Sequence, residues 1–533
     1  MKLSLPAWWE ILFRLSFAIC PKMKKKTLKI MPMLKKRFRT TSCILRNERS
    51  AFPIYHIFIL FAFVLTSCVP QNASFQFNAT ATPPIPTSTP YTSRPKYKPG
   101  ELVDYIAQDG DTMPALAKRF NTSEEEIFEA NPIIPRDVTT LPPGMPMEIP
   151  IYYLPLWGSQ FQIISDSAFV NGPAAIDFDT QSFVDAYPGW LREYSEYAGK
   201  KDRNGAEIVD YVATNFSVSP RLLLALLEYQ AGALTNPEKP DTPYPLEYID
   251  PQSHSGMYLQ LIWAANTLNN GYYGWRRGDL LEFDRLDSKL ERPDPWQNAA
   301  SVAIQYYFSR TQVGVAYEKA IGAEGLLETY TKLFGNPWSR QDILIPGSLK
   351  QPTLLLPFPR AETWTYTGAP HTAWGKGEPF AAVDFAPPSE VSGCFVTQPQ
   401  HFTAAMANGM VTRVDRGVVI LDLDMDGDER TGWVILYLHI ATQGRPQLGT
   451  ILNAGDPIGY PSCEGGKTTG THIHIARKYN GEWILADSPL PFDMEGWIPH
   501  NGVAAYRGTL VKNGYTVKAS SVSDARSQIT SGN

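Results

Sequence analysis

A chain of 533 residues with 43% apolar and 19% charged positions is too long for one hydrophobic core and apolar enough for several, so about three or four domains are expected. A mostly disordered chain is excluded. The formal charge of -5 hides an asymmetry, because residues 1–67 hold 13 Lys/Arg against 2 Asp/Glu, leaving 35 against 51 for residues 68–533. An acidic body behind a basic leader argues against a nucleic-acid partner, whose phosphates require clustered Lys/Arg.

Within the leader, residues 54–65 form a short apolar run after a stretch containing Lys35, Lys36, Arg37, Arg39, Arg46 and Arg49, the layout of a signal peptide. The run is shorter than the roughly 20 residues that span a bilayer as a helix. Translation from Met33 would give the leader a more usual length. It ends in Leu65-Thr66-Ser67-Cys68, which resembles the bacterial lipobox. That resemblance implies cleavage before Cys68 and a lipid on its sulfur, hence a membrane anchor outside the cytoplasm. Residues 68–100 are rich in Pro, Ser, Thr and Asn without an apolar period, and read as an extended tether.

The segment 101–152 predicts strand, helix, helix, strand: Val103–Ala107, 113–120, Glu124–Ala130 and Met145–Pro150. Asp111 or Thr112 can cap the first helix, and Thr122 or Ser123 the second. This order, with Gly110-Asp111-Thr112, Leu116, Phe120, Ile127, Ala130-Asn131 and Leu141-Pro-Pro-Gly144, resembles the LysM module. The resemblance implies binding to N-acetylglucosamine-containing glycan, usually peptidoglycan, with Gly110, Asp111, Thr112 and Asn131 as glycan-binding residues.

Residues 160–346 read as mainly helical. Ser219-Pro220 starts a helix that is apolar nearly all round as far as Glu228, and so is expected to be buried. Further helices are expected at Ala206–Asn215, Met257–Asn270, Trp296–Ser309 and Gln312–Phe334. The run ending in Glu228, followed by Ser255-Gly256-Met257-Tyr258-Leu259-Gln260, resembles a lysozyme-like lytic transglycosylase. That likeness implies Glu228 as the acid that protonates a glycosidic oxygen; a capping or ion-paired Glu228 in a structural helical domain is the alternative. Tyr229 stands where that family usually carries Ser.

Five of the eight histidines (His371, His401, His439, His472 and His474) fall within residues 371–474, a β-rich region. In Thr471-His472-Ile473-His474 the two imidazoles are two apart on a strand and project from one face. Tyr437-Leu438-His439 adds a third, at the end of a hairpin formed by Val418–Asp424 and Trp433–Ile440. Val383-Asp384-Phe385 sets a carboxylate among apolar residues, 13 positions after His371. Two His and one Asp make an N,N,O set that suits zinc. The hairpin turn imitates an EF-hand start with Asp422, Asp424 and Asp426, but its twelfth position is Trp433 instead of Glu, which argues against calcium.

These motifs, together with Ala407-Asn408-Gly409 and Gly455-Asp456-Pro457-Ile458-Gly459, resemble the lysostaphin-type zinc endopeptidases over about 350–512. The resemblance implies a mainly β peptidase domain with Zn2+ on His371, Asp384 and His474, and with His439 and His472 as the catalytic pair. The spacing from His371 to Asp384 is longer than the commonest form of the family, and His401 is the rival ligand. Cys394 and Cys463, in an exported protein, can form one disulfide. A polar stretch at 518–533 is expected to be disordered. The function implied is zinc-dependent cleavage of cell-wall peptide cross-links; many relatives that have lost ligands instead regulate other wall hydrolases, but all five residue types are present here.

Overall fold

Two antiparallel strands, β1 (Glu101–Ile106) and β2 (Pro146–Ile151), pair from Glu101 opposite Ile151 to Ile106 opposite Pro146, with helices α1 (Met113–Arg119) and α2 (Glu124–Ala130) between them. The computed structural model describes residues 94–155, 157–340, 342–396, 400–522 and 525–532. The leader, Cys68 and the tether as far as Ser93 lie outside these residues. In β1 the alternation buries Val103 and Tyr105 while Leu102 and Ile106 face out. Ser123 caps α2 through a reciprocal pair with Glu126. The last residues assigned to the tether are docked: Arg94 bonds both oxygens of the buried Asp294 and lies 3.8 Å above the Trp296 ring.

The middle of the chain is mainly helical: α3 (Gly205–Phe216), α4 (Pro220–Ala231), α5 (Met257–Arg276), α6 (Ala299–Phe308), α7 (Gly314–Ala320) and α8 (Leu326–Phe334). Leu222 through Leu227 in α4 are all fully buried, as expected of a helix apolar on every side. The single helix expected over Gln312–Phe334 is instead two, because Gly322 and Gly325, poor helix formers, take the chain through tight turns (Gly322 N to Lys319 O, 3.1 Å; Gly325 N to Gly322 O, 3.2 Å). Among the described residues no helix is long and apolar enough to cross a membrane.

The remainder is mainly β. A nine-stranded antiparallel sheet contains β3 (Thr363–Thr372), β4 (Phe380–Ala386), β5 (Gly409–Asp415), β6 (Gly417–Asp422), β7 (Trp433–Ile440), β8 (Ile451–Leu452), β9 (Ile473–Tyr479), β10 (Glu482–Trp483) and, after a separate three-stranded sheet, β14 (Gln528–Thr530). Its order is β8-β5-β6-β7-β9-β4-β3-β14, with β10 paired to β9. The three-stranded sheet is β11 (Ile498–Ala504), β12 (Arg507–Lys512) and β13 (Tyr515–Lys518). The expectation of a disordered 518–533 is corrected: β14 covers the outer edge of β3, with Ile529 buried, because an edge strand with free backbone groups accepts even a polar partner.

Both faces of the large sheet are covered, so β6 and β7 are buried nearly throughout. Val383, Phe385, Tyr437, Ile473 and Ile475 pack in one core, while Ala382, Leu438 and Ala476, on the opposite face, share a core with α3 to α6. This is why these strands read as continuous apolar runs rather than alternating ones.

Arg276, at the end of α5, ties three parts of the chain together. It is buried, 3.1 Å from Glu482 of β10 and 3.3 Å from Asp166, bonded to the Tyr272 hydroxyl at 2.7 Å, and it lies against Gly110 of the first unit. Burial pushes the Glu482 carboxyl up to about 7, with Asp109 and Asp166 adding to the effect and Arg276 opposing it. A carboxyl whose folded pKa is raised stabilises fully below its unfolded value of 4.5 and loses that contribution as pH rises to about 7. The loss is on the order of 3 kcal/mol. Urea melts at pH 5 and pH 7.5 should therefore show a smaller fall in stability for Glu482→Gln than for the unmodified chain; equal falls would refute this contribution.

Candidate metal centre

His474 lies directly opposite Asp384 of β4 and Leu438 of β7 in the sheet register. His371 faces Ala382, two residues from Asp384, after a bulge that places one extra residue in β3 between Gly368 and His371. Register thus puts His371, Asp384 and His474 on one face, the face that the helices also cover. Their ligand atoms lie within 4.8 Å of one another. His371 Nε2 is 3.0 Å from His474 Nδ1, and Asp384 Oδ1 is 3.2 Å and 3.1 Å from those two nitrogens.

The outer ring nitrogens settle what the inner ones present. His371 Nδ1–H donates to the Ala369 carbonyl (2.8 Å), and His474 Nε2–H donates to the Ala373 carbonyl (3.0 Å). A carbonyl only accepts, so in each neutral imidazole the proton is on the outer nitrogen and the inner one carries a lone pair. Two lone pairs and a carboxylate oxygen that has no hydrogen-bond partner therefore converge in a buried space. Without a cation such a convergence is repulsive; with one it is a ligand set of the kind zinc takes, each imidazole already held by a carbonyl on its outer nitrogen. Burial pushes the His474 pKa down, which keeps it in the neutral, ligating form.

His439 and His472 stand beside this set, their ring centroids 4.5 Å apart. His439 is the extra residue of a bulge, since Gly417 pairs with Ile440 and Val418 with Leu438. Its φ of +68° is in the left-handed region, uncommon for a non-glycine residue, and Ser462 holds the kink through N (2.7 Å) and Oγ (2.9 Å) to the His439 carbonyl. The kink turns His439 toward His472 and His474, breaking the alternation of β7. His439 Nδ1–H donates to the Glu464 carbonyl at 2.7 Å, and His472 Nδ1–H to that of Gly470 at 2.8 Å. Burial, helped by His472 and His474, takes the His439 pKa down to about 3, so it is neutral at physiological pH.

A cleft of about 1050 Å³ is walled by Pro387, Glu390, Phe395, His401 and Thr471, and none of the five clustered His and Asp residues lines it. Cys394 and Cys463 are joined across the two loops at this wall, with Cα atoms 5.7 Å apart. His401 stands apart from the metal set, its Nδ1 2.9 Å from Glu362. Tyr506, between β11 and β12, stacks on His371 with ring centroids 3.9 Å apart. No motif singled out Tyr506; its contact comes from the folding of a hairpin 32 residues beyond His474. In the hairpin turn Asp422, Asp424 and Asp426 also cluster, but Asp422 already accepts from the N–H groups of Asp424, Met425 and Gly427.

Other residues singled out from the sequence are placed elsewhere. Glu228 accepts from Leu234 N (2.7 Å), Thr235 N (3.2 Å) and the Thr235 hydroxyl (2.5 Å), bracing the turn after its helix. Asp111 is buried, accepting from the Tyr105 hydroxyl, Gln108 N and Arg119, each at 2.7 Å. Asn131 links Ile127 to both backbone groups of Glu148. Thr112 precedes α1 without a side-chain capping bond, and Gly110 abuts Arg276. Asp111 and Asn131 thus serve inside the module, where their polar groups are satisfied.

The chain sets a small strand–helix–helix–strand module and a helical part ahead of a mainly β domain that carries a His–Asp–His cluster able to hold a metal ion. Residues 105–150 match the LysM domain family model, and residues 162–348 match the model described as LasA, N-terminal domain. Over 358 residues the chain is 24% and 23% identical to Protease LasA of Pseudomonas aeruginosa strains UCBPP-PA14 and PAO1, covering 63% of this chain and 77% of each relative. Similar solved structures include the M23 metalloprotease pseudoalterin from the deep sea (22% identity, TM-score 0.27, 32% of this chain and 96% of that one). Another is the catalytic domain of the antimicrobial peptidase lysostaphin from Staphylococcus simulans (20% identity, TM-score 0.16, 25% and 91%).

Proposed function

We propose that the chain is a zinc-dependent endopeptidase that cleaves peptide cross-links of peptidoglycan. Its LysM domain binds N-acetylglucosamine-containing glycan, and a lipid on Cys68 tethers it to a bacterial membrane on the extracytoplasmic side. The observation that carries the reading is the convergence of His371 Nε2, His474 Nδ1 and Asp384 Oδ1 at 3.0 to 3.2 Å, with both outer imidazole N–H groups held by carbonyls. Similarity to proteases supports the reaction class, and the LysM match supports the wall as partner.

Zinc, when bound, supplies a Lewis acid and makes water nucleophilic at neutral pH. The chain's own part is to move protons. His439 and His472 keep Nδ1–H on carbonyls, leaving each Nε2 a lone pair. One of them takes the proton of the water that attacks the peptide carbonyl, then returns it to the amine as the C–N bond breaks. Glu228 takes no part in this reaction; its carboxylate braces the turn at Leu234 and Thr235.

The purified chain should release new amines from peptidoglycan, lose this on chelation, and regain it with zinc. His472→Ala should keep its zinc and lose at least about 100-fold in kcat. If zinc is bound yet walls of several chemotypes release no amine, the chain is a regulator of other wall hydrolases and not a peptidase.

A further inference from the structure

The carbonyl that fixes His474 belongs to a seven-residue loop, 373–379, joining β3 to β4. The loop is closed by Ala373 N to Pro379 O (2.9 Å), by the Thr372 hydroxyl to Gly377 O, and at its far end by Phe380 N to the Glu378 carboxylate (3.0 Å) and Ala381 N to Pro379 O (2.9 Å). Further support comes from α5. Asn266 Oδ1 accepts Lys376 N at 2.7 Å and Asn270 Oδ1 accepts Glu378 N at 2.8 Å, while Arg277, just past the helix, pairs with Glu378 at 2.8 Å. The asparagines are four apart and so share one face of α5. Their approach depends on Gly375 and Gly377, at φ +87° and +86°. A Cβ on Gly375 would meet Asn266 and the Phe216 ring at 2.4 and 2.5 Å, and one on Gly377 would sit 2.1 Å from Asn270.

We propose that Asn266 and Asn270 of the helical part are positioning residues for the metal centre, holding loop 373–379 so that the Ala373 carbonyl keeps His474 aimed at the ion. The connection runs through contiguous contacts: asparagine amide oxygen to loop N–H, loop to the Ala373 carbonyl, carbonyl to the outer N–H of His474. The group that accepts a ligating imidazole's outer N–H sets ring orientation and basicity, and its loss costs about 10- to 100-fold in metal affinity. The helical part is then a working component of the metal centre as well as a cover for the sheet. The inference rests on the zinc reading above.

The test uses the full chain, with zinc affinity read by competition against a chromophoric chelator and the cobalt-substituted visible spectrum as a second readout. Asn266→Ala/Asn270→Ala should bind zinc about 10- to 100-fold more weakly and show an altered cobalt spectrum. Asn266→Asp, which keeps the acceptor oxygen, should stay near the unmodified value. Arg430→Ala, which removes a contact between the same two parts at the Ala175 carbonyl but leaves the loop alone, should leave affinity and spectrum unchanged. Unaltered affinity and spectrum in the double variant overturn the inference alone, as does an equal loss in Arg430→Ala. Failure of the unmodified chain to bind zinc or cobalt overturns it together with the zinc reading.

Discussion

Asp384→Asn should abolish amine release from peptidoglycan, lowering kcat/KM on the order of 10⁴-fold, while the chain still folds. The substitution keeps the shape of the side chain and removes its charge. Asp384 is the one anion among the three converging ligand atoms, and its Oδ1 has no other hydrogen-bond partner. Without that charge a dication would face two neutral imidazoles in a buried site, and affinity falls with the lost attraction. The sheet should survive, because Asp384 is flanked by Val383 and Phe385, whose side chains pack in the core on the opposite face. The check pairs product mass spectrometry with circular dichroism. Retained amine release in a folded Asp384→Asn chain would show that the cluster is not the working site. The same products identify which peptide bond is cut.

Arg276→Met should cause a large loss of stability. The guanidinium lies between Glu482, Asp166 and the Tyr272 hydroxyl, with Asp109 close enough to act on it electrostatically. Removing one partner of a buried charge set leaves the others uncompensated, at a cost of about 3–5 kcal/mol. Because the three carboxylates come from the LysM module, the helical part and the β part, the loss falls on the junction of all three. Calorimetry should show the main transition lowered by roughly 5 °C or more. Glu482→Gln in the same chain should change little more at pH 7, because without Arg276 the buried Glu482 carboxyl rises further and is already neutral. A melting temperature for Arg276→Met within a degree of the unmodified chain would contradict this.

Much of the site is written locally in the chain, and the parts that are not have a common cause. His472 and His474 are two apart in a strand, and a period of two fixes their common face whatever the sheet around them. Asp384 stands out because a carboxylate within an apolar strand needs a partner. The geometry of His439 has no such local signal, since its left-handed backbone depends on Ser462, which clamps its carbonyl from 23 residues away. Tyr506 and loop 373–379 likewise owe their roles to packing between distant segments. Glu228 and Asp111 illustrate the converse: each is a polar residue in a suggestive motif, and each is consumed by nearby backbone and side-chain donors. A motif shows that a polar group is present but not whether its hydrogen-bonding capacity is already taken.

The helices show the same division. Capping and apolar pattern locate α2 and α4 well, because both signals lie within the element. The division of the last helical stretch into α7 and α8 turns on two glycines whose effect is small taken singly. The strand β14 forms around one buried residue, Ile529, in a stretch otherwise rich in Ser and Thr, and what orders it is the open edge of β3.

The most direct test is the zinc content of the purified chain, measured by inductively coupled plasma mass spectrometry alongside His371→Ala and His401→Ala. If His371, Asp384 and His474 hold the ion, the unmodified chain and His401→Ala each carry one zinc and His371→Ala carries none. Zinc retained in His371→Ala, or lost in His401→Ala, would contradict the assignment.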